Sequence, residues 1–296
     1  MKEPIFTGTC TAIITPFQTN GNVDYDRFSQ LIERQVQAGI DAICVCGTTG
    51  ESATLSLEEH KEVVNFCIQK INGRCKVIAG TGSNDTSTAL YLSQHAMEAG
   101  ADALLLVAPY YNKTTQAGLV RHYTYVADRI HCPLLLYNVP SRTGVSFTAE
   151  TYQILSEHPN INGIKEASGN FSLIANTLAL CGNKLNLWSG NDDHIIPMMS
   201  LGAKGVISVA SNLIPEIMVQ MTHEYLNGNT EKAALLQIQY TRLIDALFVE
   251  VNPIPIKAAL KAKNLDSGYL RLPLIEISLE NQQLLLKEMK KADILL

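Results

Sequence analysis

The sequence predicts an α/β fold, a (β/α)8 barrel with a C-terminal helical extension. Three observations point there. Eight short runs of β-branched or apolar residues recur through roughly the first 210 positions, and amphipathic helical stretches separate them. Beyond about residue 212 the runs stop and helical patterns alone continue. The length of 296 residues allows either two ordinary domains or one large barrel, because α/β barrels run as single domains of about 250 residues.

The eight runs lie at 10–17, 41–47, 75–82, 101–111, 132–140, 161–168, 185–192 and 204–211. Several, such as ADALLLVAPYY and CPLLLYNVP, are continuously hydrophobic rather than alternating, as expected of parallel strands buried on both faces. Between them, Ser56 followed three residues later by Glu59 is a capping box opening a helix with Val63, Val64, Cys67 and Ile68 on one side. Phe28, Leu31, Ile32 and Val36 form another helical stripe, which stops at Gly39. A weak repeat marks the joins: AGIDAI at 38–43, AGADAL at 99–104 and, more loosely, LGAKGV at 201–206. Each closes a helix on glycine and starts the next strand, and eight such units in series close into a barrel. The segment IPEIMVQMTHEYLNG completes the eighth unit. The expected division is therefore a catalytic barrel over 1–225 and an extension over 226–296, covering the barrel and making subunit contacts.

Composition narrows the function classes. Lys and Arg number 23 against 28 Asp and Glu, a net charge of −5, with no basic cluster, so a nucleic-acid partner is not expected. Apolar residues make up 46% and charged residues 17%, which predicts a packed core rather than disorder. The opening MKEPIFTGTC lacks the apolar run of a secretory signal, and no stretch reaches the ~20 apolar residues that span a bilayer. A cytoplasmic protein without membrane partners is expected. The seven cysteines are an odd number without CxxC spacing, so neither disulfides nor cysteine chemistry is expected. Cys44 and Cys46 should share one face of a strand as small buried hydrophobes.

In such barrels functional groups sit at the C-terminal ends of strands. Those ends carry Gly47-Thr48-Thr49-Gly50-Glu51, Pro109-Tyr110-Tyr111-Asn112, Tyr137-Asn138 with Ser141-Arg142-Thr143-Gly144, Lys165-Glu166 and Ser189-Gly190-Asn191-Asp192-Asp193. Lys165 stands out because it ends an apolar strand instead of lying on a helix face. Burial penalises an ammonium, and a neutral amine beside a carbonyl is what Schiff-base formation requires. A structural Lys–Glu pair is the competing reading. Glu166 would be a poor partner for it, since adjacent strand residues face opposite sides. Tyr137, one strand earlier at the same depth, suits a proton relay, although core packing explains a lone strand-end tyrosine equally well. The glycine-flanked Thr48 and Thr49 suit a carboxylate, as does Arg142. Asp192-Asp193-His194 resembles a metal fragment but lacks a companion cluster, so no metal is expected. Gly80-Thr81-Gly82 is not a nucleotide fingerprint.

GTTGES at 47–52, APYYNK at 108–113, YNVPSRTG at 137–144, GIKEASGN at 163–170, SGND at 189–192, GVISV at 205–209 and NPIPIK at 252–257 appear in that order. Across essentially the whole chain this resembles the 4-hydroxy-tetrahydrodipicolinate synthase (dihydrodipicolinate synthase) family. The resemblance implies that Lys165 forms an imine with pyruvate, whose enamine attacks L-aspartate 4-semialdehyde. It makes Tyr137, Thr48 and Tyr111 the proton relay, with Tyr111 inserted from a neighbouring subunit. Thr49 would hold the pyruvate carboxylate, Arg142 that of the semialdehyde, and Gly190 and Ile207 would line the pocket through their backbones. It implies no organic cofactor or metal, and a homotetramer built as a dimer of dimers. N-acetylneuraminate lyase and related 2-keto-acid aldolases share the lysine and the tyrosine. Arg142 and the Thr48-Thr49 pair favour the synthase over them. A non-catalytic binding paralogue would have lost Lys165 or Tyr137. The lysine-effector positions of the resemblance are Ser52, Ala53, His60, Asn84 and Tyr110. Leu57 and Thr88 depart from the inhibited pattern, which predicts weak inhibition by L-lysine or none.

Overall fold

The computed structural model describes residues 2–295. Eight parallel strands pair in chain order and close into a barrel. The first half runs β1 Gly8–Ala12, α1 Tyr25–Gln37, β2 Ala42–Val45, α2 Leu57–Ile71, β3 Lys76–Gly80, α3 Thr86–Ala99, β4 Ala103–Val107 and α4 Gln116–Ala127. The second runs β5 Leu134–Asn138, α5 Pro140–Thr143, α6 Ala149–Ser156, β6 Ile161–Glu166, α7 Phe171–Cys181, β7 Asn186–Ser189, α8 Ile195–Ser200, β8 Gly205–Ser208 and α9 Pro215–Leu226. Three further helices follow: α10 Thr230–Ala246, α11 Ile254–Ala262 and α12 Leu279–Lys291.

The continuous hydrophobicity of the strands has the cause that the sequence suggests. Along β4 and β5, Leu104, Leu106, Leu134 and Leu136 join the core beneath the helices. The residues between them, Ala103, Leu105, Leu135 and Tyr137, join a separate cluster with Cys10, Cys44, Ile78, Trp188 and Ile207. That second cluster fills the barrel, so each strand is apolar on both faces. The seam between β1 and β8 closes on Gly8 and Gly205, where a Cβ on Gly205 would lie 1.8 Å from the Gly8 carbonyl oxygen. At the N-terminal end, Phe6 stacks on Trp188 at 5.1 Å, and the Lys2 ammonium donates to the carbonyls of Ser156, His158 and Ile161 at 2.6–2.7 Å.

Helix starts follow their sequence signals. Ser56 Oγ accepts from the Glu59 N–H, and the Glu59 carboxylate accepts from the Ser56 N–H, completing the capping box of α2. Asp24, Asp85, Thr115, Thr148 and Asn170 cap α1, α3, α4, α6 and α7 in the same sense.

Two sequence expectations need correction. The run 10–17 is not one strand: β1 spans Gly8–Ala12, and the Ile14 N–H leaves the ladder for the Asn212 side chain. Cys44 and Cys46 do not share a face. The strand ends at Val45, and Cys46 adopts φ 54°, which turns its side chain to the outer core while Cys44 stays inside the barrel.

After α9, which packs on β1, the chain adds α10 against α9 and α12 against α10 and α11. Ion pairs bind this layer to the barrel. Arg271 meets both carboxylate oxygens of Glu59, its Nη1 also donates to the Thr54 carbonyl at 2.7 Å, and its guanidinium covers the Phe17 ring. No helix among the described residues is long and apolar enough to cross a membrane.

The Arg271 hydrogen bonds hold the Glu59 carboxyl down to about 2 from its ordinary 4.5. A depressed carboxylate stabilises the fold above its ordinary value, and that contribution is lost as pH falls through about 2. Replacing Glu59 with Gln is expected to lower the denaturant midpoint at pH 7 and to flatten the acid limb between pH 4.5 and 2, read by circular dichroism.

Candidate active site

The C-terminal ends of β5 and β6 bring two groups together. Their register pairs Tyr137 with Lys165, and the Lys165 ammonium nitrogen lies 4.4 Å from the Tyr137 ring centroid. Both side chains are buried, at 7% and 6% exposure, and Tyr137 belongs to the cluster inside the barrel. Glu166 faces the other way, into the layer beneath the helices, so it does not neutralise Lys165. Its carboxylate accepts from Asn138 and Tyr152. Gly190, following β7, leaves room for the lysine: a Cβ there would sit 3.1 Å from the Lys165 Cε and 2.7 Å from the Ala167 Cβ. Ile207, on β8, is fully buried in the barrel cluster.

The turn after β2 carries the threonines. Gly50 and Glu51 donate their N–H groups to the carbonyls of Gly47 and Thr48. Among the described residues, the N–H groups of Thr48 and Thr49 have no protein acceptor. A tight turn with outward N–H groups and two hydroxyls suits an anion. Thr49 is buried, and its Oγ accepts from the Asn252 amide at 3.0 Å. Arg142 lies exposed on the single-turn helix α5, and its Nη2 donates to the Asn252 carbonyl at 3.1 Å. Asn252 thus touches both candidate carboxylate binders.

A cavity of about 460 Å³ opens beside Thr48, Arg142 and Asn252, and neither Lys165 nor Tyr137 lines it. Thr48, Val107, Val139, Arg142 and Asn252 form one part of its wall. Ser52, Ala53, Leu57, His60, Thr88 and Tyr110 form another, so most of the positions expected for an effector share the space. Asn84 is not on that wall; it borders a shallower neighbouring hollow with Asn112. His60 is buried, its Nε2 is 2.8 Å from the Gly80 carbonyl, and burial lowers its pKa. The Thr88 hydroxyl donates to the Asp85 carboxylate at 2.7 Å. Tyr111 stands apart from the others: it is 90% exposed at φ 69° and does not enter the mouth of its own barrel.

The residues that resembled a metal fragment do other work. The buried Asp192 carboxylate accepts from the Val209 and Ala210 N–H groups at 2.9 Å, tying the end of β7 to the end of β8, and burial raises its pKa. Among the described residues no group of three or more His, Cys, Asp or Glu side chains is placed to hold a metal ion.

The sequence profile of the Dihydrodipicolinate synthetase family matches residues 5–292. The chain belongs to that family. It is 47% identical over 293 residues to a 4-hydroxy-tetrahydrodipicolinate synthase from a Thermoanaerobacter species, covering 99% of this chain and 98% of the relative. A dihydrodipicolinate synthase structure from Aquifex aeolicus superposes with a TM-score of 0.96 at 44% identity, covering 98% and 99% of the two chains. An Acinetobacter baumannii dihydrodipicolinate synthase, solved in complex with pyruvate, superposes at 0.95 with 40% identity, covering 98% and 99%.

A reading of the sequence alone leaves three groups at the site without a role. Asn252 and Lys257 lie in the extension, in a segment that carried the family resemblance but no assigned role. Glu51 lies in the threonine turn. The fully buried Lys257 ammonium pairs with the Glu51 carboxylate and donates to the Tyr269 carbonyl at 3.0 Å. Glu51 sits at φ 51° and also accepts from the Arg271 N–H, so the turn is clamped from the extension. Partners 203 and 206 residues apart leave no local spacing to read.

Removing one member of a buried ion pair strands the other charge, at a cost of about 3–5 kcal/mol. The Lys257→Met variant is expected to lose that much in denaturant unfolding, and the Lys257→Met/Glu51→Gln double variant to recover at least half of it.

Proposed function

We propose that this chain condenses pyruvate with L-aspartate 4-semialdehyde to form 4-hydroxy-tetrahydrodipicolinate, as a Schiff-base lyase of diaminopimelate and lysine biosynthesis. The observation that carries the mechanistic reading is the buried Lys165 amine at the end of β6, set over the Tyr137 ring on an adjacent strand and, unlike the buried Lys257, paired with no carboxylate among the described residues. Membership of the family and the naming of its relatives support the substrates.

The Lys165 amine adds to the pyruvate carbonyl, and the carbinolamine loses water to give an imine. Loss of a methyl proton then gives the enamine, whose carbon attacks the aldehyde. The aldehyde oxygen takes up a proton, and the substrate amino group closes on the imine carbon, releasing Lys165. The lysine itself is the electron sink, so the sequence of steps requires no organic cofactor or metal. Protons must move at each stage, and Tyr137 with Thr48 would carry them. Tyr111 from a second copy of the chain would complete the relay. In support, it is an exposed aromatic residue at φ 69°, presented by a tight turn in which the Asn112 N–H donates to the Tyr110 carbonyl at 2.9 Å. Thr49 would hold the pyruvate carboxylate and Arg142 that of the semialdehyde, with Gly190 and Ile207 lining the pocket. The working unit would be a tetramer, a dimer of dimers. The seven unpaired cysteines fit a reducing cytoplasm.

Borohydride reduction with pyruvate is expected to add reduced pyruvate to the Lys165 peptide, read by peptide mass, and to leave Lys165→Ala unmodified. An adduct on another lysine, or turnover of N-acetylneuraminate in place of aspartate semialdehyde, would overturn the reading.

The cavity also bears on regulation. Thr88 spends its hydroxyl on Asp85 and Leu57 is apolar, so an effector ammonium would find no carboxylate at either position. Turnover is expected to stay near its uninhibited rate at millimolar L-lysine. Strong inhibition in that range would contradict this.

A further inference from the structure

Outward-facing positions along β5 and β6 are apolar until the rung that carries the reacting pair. Leu134, Leu136 and Ile164 enter the core beneath the helices. At the last rung the outward residues become Asn138 and Glu166, paired in register directly behind Tyr137 and Lys165. Both are buried, at 0% and 2% exposure. An apolar pair would fill that layer at lower cost, because a buried carboxylate must be fully hydrogen-bonded to be tolerated.

Glu166 is so bonded, entirely by neutral donors. The Asn138 amide donates to both carboxylate oxygens at 3.1 and 3.0 Å, the Tyr152 hydroxyl of α6 donates at 3.0 Å, and the Ser168 N–H donates at 2.7 Å. The same Asn138 nitrogen lies 3.2 Å from the Ser146 Oγ, which it also serves as donor. Burial, and after it the Glu166 charge, pushes the Tyr152 phenol well above its ordinary pKa, so it stays a donor. The cluster therefore ties β5, β6, α6 and the turn after Lys165 to one carboxylate.

Resting on the function proposed above, we infer that Glu166 is a positioning residue for that reaction: the Asn138–Glu166–Tyr152 cluster sets the spacing of the strands that present Tyr137 and Lys165. Tyr137 and Lys165 touch only through the ammonium over the ring and share no hydrogen bond among the described residues, so the directional side-chain bonds of this part of the wall come from the pair behind them. A displacement of about 1 Å between reacting groups can cost a hundred-fold in rate. The clamp should therefore act on kcat while leaving the carboxylate sites, which lie on other elements, intact.

The test is steady-state kinetics with borohydride trapping on the wild type, Glu166→Gln, Asn138→Asp and the Asn138→Asp/Glu166→Gln double variant, with thermal midpoints as folding controls. Glu166→Gln keeps the shape of the side chain and is expected to fold. Its kcat and its rate of pyruvate trapping on Lys165 should fall about ten-fold or more, with the KM for pyruvate within about two-fold. Asn138→Asp opposes two carboxylates and should lose at least as much. The double variant restores an amide–carboxylate bond with its polarity reversed and should recover most of the loss. Wild-type kcat in Glu166→Gln, or a double variant no better than the worse single one, would overturn the inference. A wild type that traps no pyruvate on Lys165 would instead overturn the function itself, and the inference with it.

Discussion

Successive residues of a strand face opposite sides of the barrel wall, and the site depends on that constraint. Each position that delivers a group inward is followed by one that faces the helices. Lys165 and Glu166 are neighbours in sequence, yet they occupy different environments, one inside the barrel and one beneath α6 and α7. The lysine is thereby kept from the nearest carboxylate in the chain. A residue that would otherwise quench it becomes available to organise the wall behind it. The same alternation sorts Cys44 from the outer core and puts Trp188 opposite Phe6.

A second layer of control comes from outside the barrel. The threonine turn after β2 and the Arg142 helix after β5 are separated around the rim, and no strand pairing joins them. Asn252 bridges them, with its amide on Thr49 and its carbonyl beneath Arg142, while Lys257 holds Glu51 at the base of the turn. The relative placement of the two proposed carboxylate binders is therefore set by six residues of the extension. Loops in such barrels carry chemistry on a rigid scaffold, and here part of the scaffold is appended to the barrel rather than contained in it.

Much of this architecture is legible in the sequence, for definite reasons. Strands buried on both faces cannot alternate, so the eight apolar runs announce a parallel barrel. Lys165 is legible because a charge at the end of an apolar strand has no solvated face to explain it. Ser56 and Glu59 are legible because a capping box is local. Other features are not local. Nothing near Asn252 or Lys257 reveals a partner two hundred residues earlier. Cys46 looked like a strand residue because the left-handed turn that ends β2 at Val45 leaves no Gly or Pro at that position. The sequence overstates β1 because Ile13 and Ile14 are as apolar as strand residues, yet after Ile13 bonds to the Cys44 carbonyl of β2 the Ile14 N–H turns to the Asn212 side chain.

The bridge from Asn252 to Thr49 spans 203 residues, and that from Lys257 to Glu51 spans 206. Chain synthesis proceeds from the N-terminus, so the strands and their inward groups leave the ribosome well before the segment that locks the threonine turn. A nascent chain can assemble most of the barrel while the threonine turn on its rim is still unfastened. Fastening of that turn waits for the part of the polypeptide from residue 252 onward. Non-local closure of this kind slows folding. It also means that a prematurely terminated product would carry the amine without the ordered rim around it.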